Sequence, residues 1–265
     1  MIIDKQNVIV GFCNDGYFDF CKNWLISLHN VKLEDRVIVY ALDDKSYNKI
    51  DAEFPGIKCI RWDNLSLFSP ASEKFIELVG EGWDVIMFKK LECVHYTLLQ
   101  GHHVLYTDTD VVFQRDGLEY ILDNIGDSDF VIQQDGPKDM MWCAGLFYAK
   151  SCPETLNLTV LSPDLCKGFN CDQPILNGRL SVESGLPLSR VYSKVNVQDR
   201  VVSNGWSPSN SLKWHRLSED LFPNGNKWQK MRHRYRKDSY LIHYNCITGY
   251  DSKVREMKKY NHWYL

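Results

Sequence analysis

The chain has 265 residues, 44% of them hydrophobic and 25% charged, with a net charge of −3 and a sequence pI near 6.2. That length holds one large α/β domain or two small ones, the mild acidity argues against a nucleic-acid binder, and no run reaches the apolar length of a membrane span. The nine cysteines are scattered, odd in number and without a Cys-X-X-Cys pair, so they read as reduced thiols rather than a disulfide or zinc framework.

Val8 to Phe12 is a continuous apolar run broken by Asn14-Asp15-Gly16, which predicts a buried strand ending in a polar turn. It begins too early to leave room for a signal peptide, so a cytoplasmic protein is expected. From Tyr17 to Leu28, the residues Phe20, Trp24, Leu25 and Leu28 recur at helical spacing, and Val37 to Leu42 forms a second apolar run closed by Asp43-Asp44. This β-α-β alternation predicts a parallel sheet. Ser69-Pro70 has the form of a helix N-cap and first position, and Trp83 to Leu99 reads as a longer helix with Met87, Leu91 and Leu98 inward, stopped by Gly101. Val104-Leu105-Tyr106 then leads into Asp108-Thr109-Asp110 and Val111-Val112-Phe113.

Downstream, the pattern predicts a helix over Gly117 to Ile125, a strand at Phe130-Val131-Ile132, another around Leu146-Phe147-Tyr148, and a helix opening near Asp172. The remainder reads as loop, with Trp206, Trp214 and Trp228 embedded in it. Tryptophan faces suit sugar rings, although loop tryptophans anchor cores as often. The basic stretch Lys227 to Lys237 is compatible with a phosphate, an anionic glycan or a membrane surface, but a charge run is usually a solvated face.

Asp108 and Asp110 close an apolar run two residues apart. On an extended strand they project to the same side while Thr109 points away, and two such carboxylates repel unless a cation joins them. Oxygen ligation favours a hard ion such as Mg2+ or Mn2+, whereas the bland alternative is a solvated turn. Two further strand ends, Asn14-Asp15 and Asp43-Asp44, are also polar, and open parallel sheets bind ligands at the carboxyl ends of their strands. Together these three ends predict a nucleotide site on one rim. The glycines form neither a P-loop nor a dinucleotide fingerprint.

With Asn14-Asp15-Gly16-Tyr17, Ala41-Leu42-Asp43, Asp108-Thr109-Asp110, Ala144-Gly145-Leu146-Phe147, Asp172-Gln173-Pro174, Leu221-Phe222-Pro223-Asn224-Gly225, His243-Tyr244-Asn245, Gly249 and Lys253 in this order, the chain resembles nucleotide-sugar glycosyltransferases of the GT-A fold. The likeness is to family 77 in particular, with echoes of glycogenin-like family 8, and it covers nearly the whole chain. It implies an α/β/α sandwich with a mostly parallel central sheet, formed by one domain over residues 1–265. Residues 1–115 would be the nucleotide-sugar half, and residues 116–265 the acceptor half with a C-terminal metal- and diphosphate-binding segment.

The resemblance also implies an activity: metal-dependent transfer of galactose or xylose from a UDP-sugar to a hydroxyl of a glycan or glycoprotein, with retention. Asp110 would ligate the metal, Asp108 would share it or hold the ribose, and His243 would be the third protein ligand, which favours Mn2+. Without the two aspartates, His243 would read as a core histidine. Lys253 and Gly249 would meet the diphosphate, and Lys90 would face the donor, although Lys89 beside it leaves the register open. Asn14 and Tyr17 would bind the base, with Asp15, Asp43, Thr109, Ala144 and Gly145 lining the donor site; Tyr17 could instead simply start the first helix. Asp172 and Gln173 are the candidates for chemistry at the sugar, Asp172 equally serving as a helix cap. Cys143 stands where related enzymes carry a polar residue, and family members in eukaryotes generally have a Golgi membrane anchor, so a microbial or virus-encoded enzyme is expected. The rival expectations are a metal-dependent nucleotidyltransferase or nucleotide-sugar hydrolase, and a non-catalytic sugar-nucleotide-binding relative.

Overall fold

The computed structural model describes residues 7–63, 65–76, 82–136, 141–188, 196–231 and 237–265. In chain order the strands are β1 (Asn7–Cys13), β2 (Val37–Ala41), β3 (Lys58–Arg61), β4 (His103–Thr107), β5 (Val111–Phe113), β6 (Phe130–Gln134), β7 (Trp142–Ala149), β8 (Trp214–Arg216) and β9 (Leu241–His243). The helices are α1 (Phe18–Asn30), α2 (Asp44–Glu53), α3 (Trp83–Leu99), α4 (Gly117–Asn124), α5 (Pro153–Thr159), α6 (Asp172–Ser184), α7 (Val197–Ser203), α8 (Gly225–Lys230) and α9 (Tyr250–Lys259).

Seven strands form one sheet in the order β3-β2-β1-β4-β7-β6-β8, in which only β7 runs against its neighbours. The alternation of strand side chains divides the core in two. Val8, Val10, Val104 and Tyr106 face one layer with Leu91, Leu98, Ile175 and Leu180 of α3 and α6. Ile9, Cys13 and Leu105 face the other, with Trp24, Leu28, Ile50 and Leu118 of α1, α2 and α4. The result is the α/β/α sandwich with a mostly parallel sheet. β5 and β9 pair apart from it as an antiparallel ribbon over a third, smaller cluster that includes Val112, Trp228, Ile242 and Met257.

The expected early strands and α1, α3, α4 and α6 are present, α3 with Met87, Leu91 and Leu98 buried and Gly101 at φ +86° after its end. The helix expected at Ser69-Pro70 is absent. The segment from Ser66 to Ile76 has no helix or strand, because its backbone carbonyls are held from outside: Asn14 Nδ2 donates to Ser72 O at 2.6 Å and to Lys74 O at 3.0 Å, and Tyr17 donates to Ile76 O. Asp172 is not a helix cap. It is the first residue of α6, with Cys171 in the cap position. Two of the supposed loops contain the short helices α7 and α8, and Trp206 and Trp228 are buried anchors. Within the basic stretch, Lys227 pairs with Asp220 at 2.8 Å, while residues 232–236 lie outside the described ones. All nine cysteines are unpaired thiols, and no helix among the described residues is long and apolar enough to cross a membrane.

Candidate metal and donor site

The carboxyl end of β4 delivers Asp108, and the ribbon delivers the rest. Val111 stands opposite His243 in the β5–β9 register, and Tyr244 N donates to Asp110 O at 3.0 Å, so the turn that carries Asp110 is clamped beside the imidazole. His243 Nε2 lies 3.1 Å from Asp110 Oδ1 and 3.6 Å from Asp108 Oδ2. Among the described residues, Asp108, Asp110 and His243 offer ligand atoms that all fall within 4.8 Å of one another. Gly145 makes this approach possible: Asp108 N donates to Gly145 O at 2.8 Å, and a Cβ on Gly145 would come within 2.3 Å of Asp108 Oδ2 and 2.4 Å of His243 Cε1.

The electrostatics separate the two aspartates. Burial pushes the Asp110 carboxyl up, but Lys253, 2.5 Å from its Oδ2, and His243 outweigh that and hold it well below the usual carboxylate range. Among the described residues its Oδ1 is nevertheless buried without a hydrogen-bond donor, with Nε2 at ion-pair distance. Such an orphaned oxygen facing an imidazole nitrogen and a second carboxylate fits a hard or borderline divalent cation. Asp108 accepts at Oδ1 from the Tyr106 hydroxyl at 2.6 Å and from Lys90 Nζ at 3.4 Å. Burial and the Asp108 charge keep the Tyr106 phenol far above its ordinary pKa, so it remains the donor.

Of the two adjacent lysines, Lys89 turns to Asp63 at 2.6 Å, whereas Lys90 enters the site between Asp108 and Asp172, 3.0 Å from Asp172 Oδ2. Burial pulls Lys90 down, yet the two aspartates outweigh it and hold it above the ordinary lysine range. Burial raises the Asp172 carboxyl, Lys90 opposes this and Asp108 adds to it, leaving it at about 6. Gln173, next on α6, accepts from Ala144 N at 3.2 Å and donates to Asp135 Oδ2 at 2.9 Å. Asp135 in turn accepts from Asn245, so α6, β6 and the segment after β9 meet around one carboxylate. Gly249, at φ +85°, caps α9, the helix that carries Lys253. Thr109 is buried between the two aspartates.

The other expected donor residues sit at the ends of β1 and β2. Asp43 caps α2, its Oδ1 accepting from Ser46 N and its Oδ2 from Asp15 N, each at 2.7 Å. Asp15 pairs with Lys49 at 2.5 Å. Asn14 accepts from Tyr17 N at 3.1 Å and holds Ser72 and Lys74, while the Tyr17 ring lies against Phe75 with centroids 4.5 Å apart. The sequence reading missed Gln133, which contacts His243 Nδ1 at 2.8 Å, as well as Asp135 and Phe75. A polar residue inside an apolar strand was the available signal for Gln133.

A profile of the nucleotide-diphospho-sugar transferase family matches residues 32–257. A UDP-galactose:fucoside alpha-3-galactosyltransferase of Dictyostelium discoideum is 26% identical over 303 residues, spanning 99% of this chain and 44% of that protein. The UDP-D-xylose:L-fucose alpha-1,3-D-xylosyltransferase MGP4 of Arabidopsis thaliana is 24% identical over 278 residues, spanning 99% of this chain and 71% of the plant protein. The chain therefore covers less than half the length of the Dictyostelium relative. Among solved structures, the galactosyltransferase LgtC shares the fold at a TM-score of 0.51 and 12% identity, over 96% of this chain and 94% of that one. A glycosyltransferase involved in the glycosylation of the major capsid of PBCV-1 does so at 0.53 and 8%, over 96% and 99%.

Proposed function

The chain belongs to the nucleotide-diphospho-sugar transferase family, and from that membership we propose that it transfers galactose or xylose from a UDP-sugar to a hydroxyl of a fucose-bearing glycan or glycoprotein. The observation that carries the metal-dependent form of this reading is the convergence of Asp108, Asp110 and His243 around the orphaned Asp110 Oδ1. The names of the relatives supply the donor and acceptor classes. Their α-linkages, formed from α-configured UDP-sugars, support retention.

In this reading Asp108, Asp110 and His243 hold Mn2+, or Mg2+ less well because imidazole suits the softer ion. The bound ion supplies Lewis acidity against the charge that develops on the leaving diphosphate. Lys253 moves from Asp110 toward the diphosphate as a second counter-charge, and the backbone at Gly249 lies beside it. Lys90 keeps Asp108 and Asp172 from repelling one another and so holds the Asp172 carboxylate beside the donor sugar. There Asp172 and Gln173 stabilise the oxocarbenium-like centre or orient the donor while the departing phosphate takes the acceptor proton. Residues 1–115 supply most donor contacts, and residues 116–265 supply the acceptor side together with His243 and Lys253. The base is placed against Tyr17 and Phe75, with Asn14 fixing the backbone from Ser72 to Lys74 that frames them.

The test is UDP release from UDP-galactose and UDP-xylose, with Mn2+ or EDTA and with or without a methyl fucoside. Release that needs Mn2+ and rises with the fucoside is expected. Production of UMP would replace this reading with hydrolysis of the diphosphate anhydride bond, and release indifferent to EDTA would remove the metal from it.

A further inference from the structure

Gln133 belongs to none of the motifs that carry the family likeness. It is a fully buried residue near the end of β6, at the point where the β6–β7 register breaks: Ile132 stands opposite Phe147, but Gln133 stands opposite Cys143. Such irregularities re-aim side chains, and this one turns an amide toward the back of His243. Gln133 Nε2 donates to Phe222 O at 3.0 Å, which fixes the orientation of the amide, since the flipped form would set two carbonyl oxygens against each other. Gln133 Oε1 therefore faces His243 Nδ1 at 2.8 Å.

A carbonyl oxygen only accepts, so the bond places a proton on Nδ1. The other group near Nδ1, Cys143 Sγ at 3.5 Å, could donate its S–H there only by leaving the Nδ1 lone pair and Gln133 Oε1 facing each other at 2.8 Å, so the shorter amide contact sets the tautomer. With Nδ1–H engaged, Nε2 is the nitrogen left to present a lone pair to Asp108 and Asp110. Resting on the metal-site reading above, we infer that Gln133 is a positioning residue that makes His243 an Nε2 ligand, by accepting the one proton the ring keeps when a cation binds. Gln133 touches neither ion nor donor; it acts through the imidazole, and its bond to Phe222 holds it in place to do so.

The experiment is titration of the full chain with Mn2+ in the presence of UDP, following free Mn2+ by electron paramagnetic resonance, together with thermal melts in EDTA. Gln133→Leu removes the acceptor and weakens Mn2+ binding about 10- to 100-fold. Gln133→Glu still accepts the Nδ1 proton but cannot donate to Phe222 O, and it holds Mn2+ within roughly 3-fold of wild type while melting earlier. Gln133→Met, of similar length and also without an acceptor, serves in place of the leucine variant should that fail to fold. Unchanged affinity in Gln133→Leu or Gln133→Met overturns the inference. So does equal weakening in Gln133→Glu, which would show that only the Phe222 anchor matters. A wild-type chain that binds no Mn2+ brings down the metal site itself, and the inference with it.

Discussion

Asp43 and Asp108 each follow a strand of the same parallel rim, and each is an aspartate placed just after an apolar run. Asp43 points both oxygens at backbone N–H groups, those of Asp15 and Ser46. Asp108 receives a phenol and an ammonium on one oxygen and turns the other toward His243, while its neighbour Asp110 has an oxygen that, among the described residues, meets only the His243 imidazole at ion-pair distance. A carboxylate saturated by the backbone is a structural part. One that faces other side chains across a gap retains lone pairs for a ligand. The difference lies in what comes opposite each strand end: the first turn of α2 in one case, and β7 and the β5–β9 ribbon in the other.

The largest effect that tests this contrast is that of Asp110→Asn. UDP release is expected to fall by at least about 10²- to 10³-fold, the range seen when one preorganised electrostatic partner of a transition state is removed. Circular dichroism should stay native, and full turnover would erase the distinction between the two ends.

Asp172 is the next. Its folded pKa of about 6 lies above the ordinary 3.8. The folded protein therefore binds more protons between those values, and its stability falls as pH rises from about 4 through 6. In EDTA, wild type should lose up to roughly 3 kcal/mol relative to Asp172→Asn between pH 4 and pH 7, measured by denaturant titration. Parallel pH curves would show that Lys90 fully offsets the burial.

The smallest effect belongs to Asp43→Ala, which should lower stability by about 1 kcal/mol as a lost helix cap. A larger loss of UDP affinity than of stability would move Asp43 to the ligand-binding side of the comparison.

Elements with long apolar periodicity could be read from the sequence. β1, β2 and α3 fall where their runs predict, because burial on one or both faces dictates those residues directly. Ser69-Pro70 misled: a cap signal acts locally, and the carbonyls of that segment are claimed by Asn14 and Tyr17 from elsewhere in the chain. β5 and β9 are three residues each and carry no periodicity of their own. The aspartate pair was legible as two carboxylates closing an apolar run, but the strand alternation expected for it is not what joins them: Asp108-Thr109-Asp110 lies between β4 and β5 as a turn, with Val111 N donating to Asp108 O at 3.2 Å. Which lysine enters the site was not, since Lys89 and Lys90 differ only in the helix rotation that α3 adopts once packed. Gln133 was hidden for a further reason: its aim depends on a register break set jointly by two strands.

The ribbon of β5 and β9 joins Asp110 to His243 across more than half of the chain. No amino-terminal fragment ending before residue 243 contains the third of the proposed ligands. In kinetic terms the pocket has very high contact order, since its closure must await collapse of the intervening sheet and helices. On the proposed reading, ion binding would then report on the completed tertiary structure, and a nascent chain with its N-terminal strands already paired would hold its share of the donor contacts but not His243.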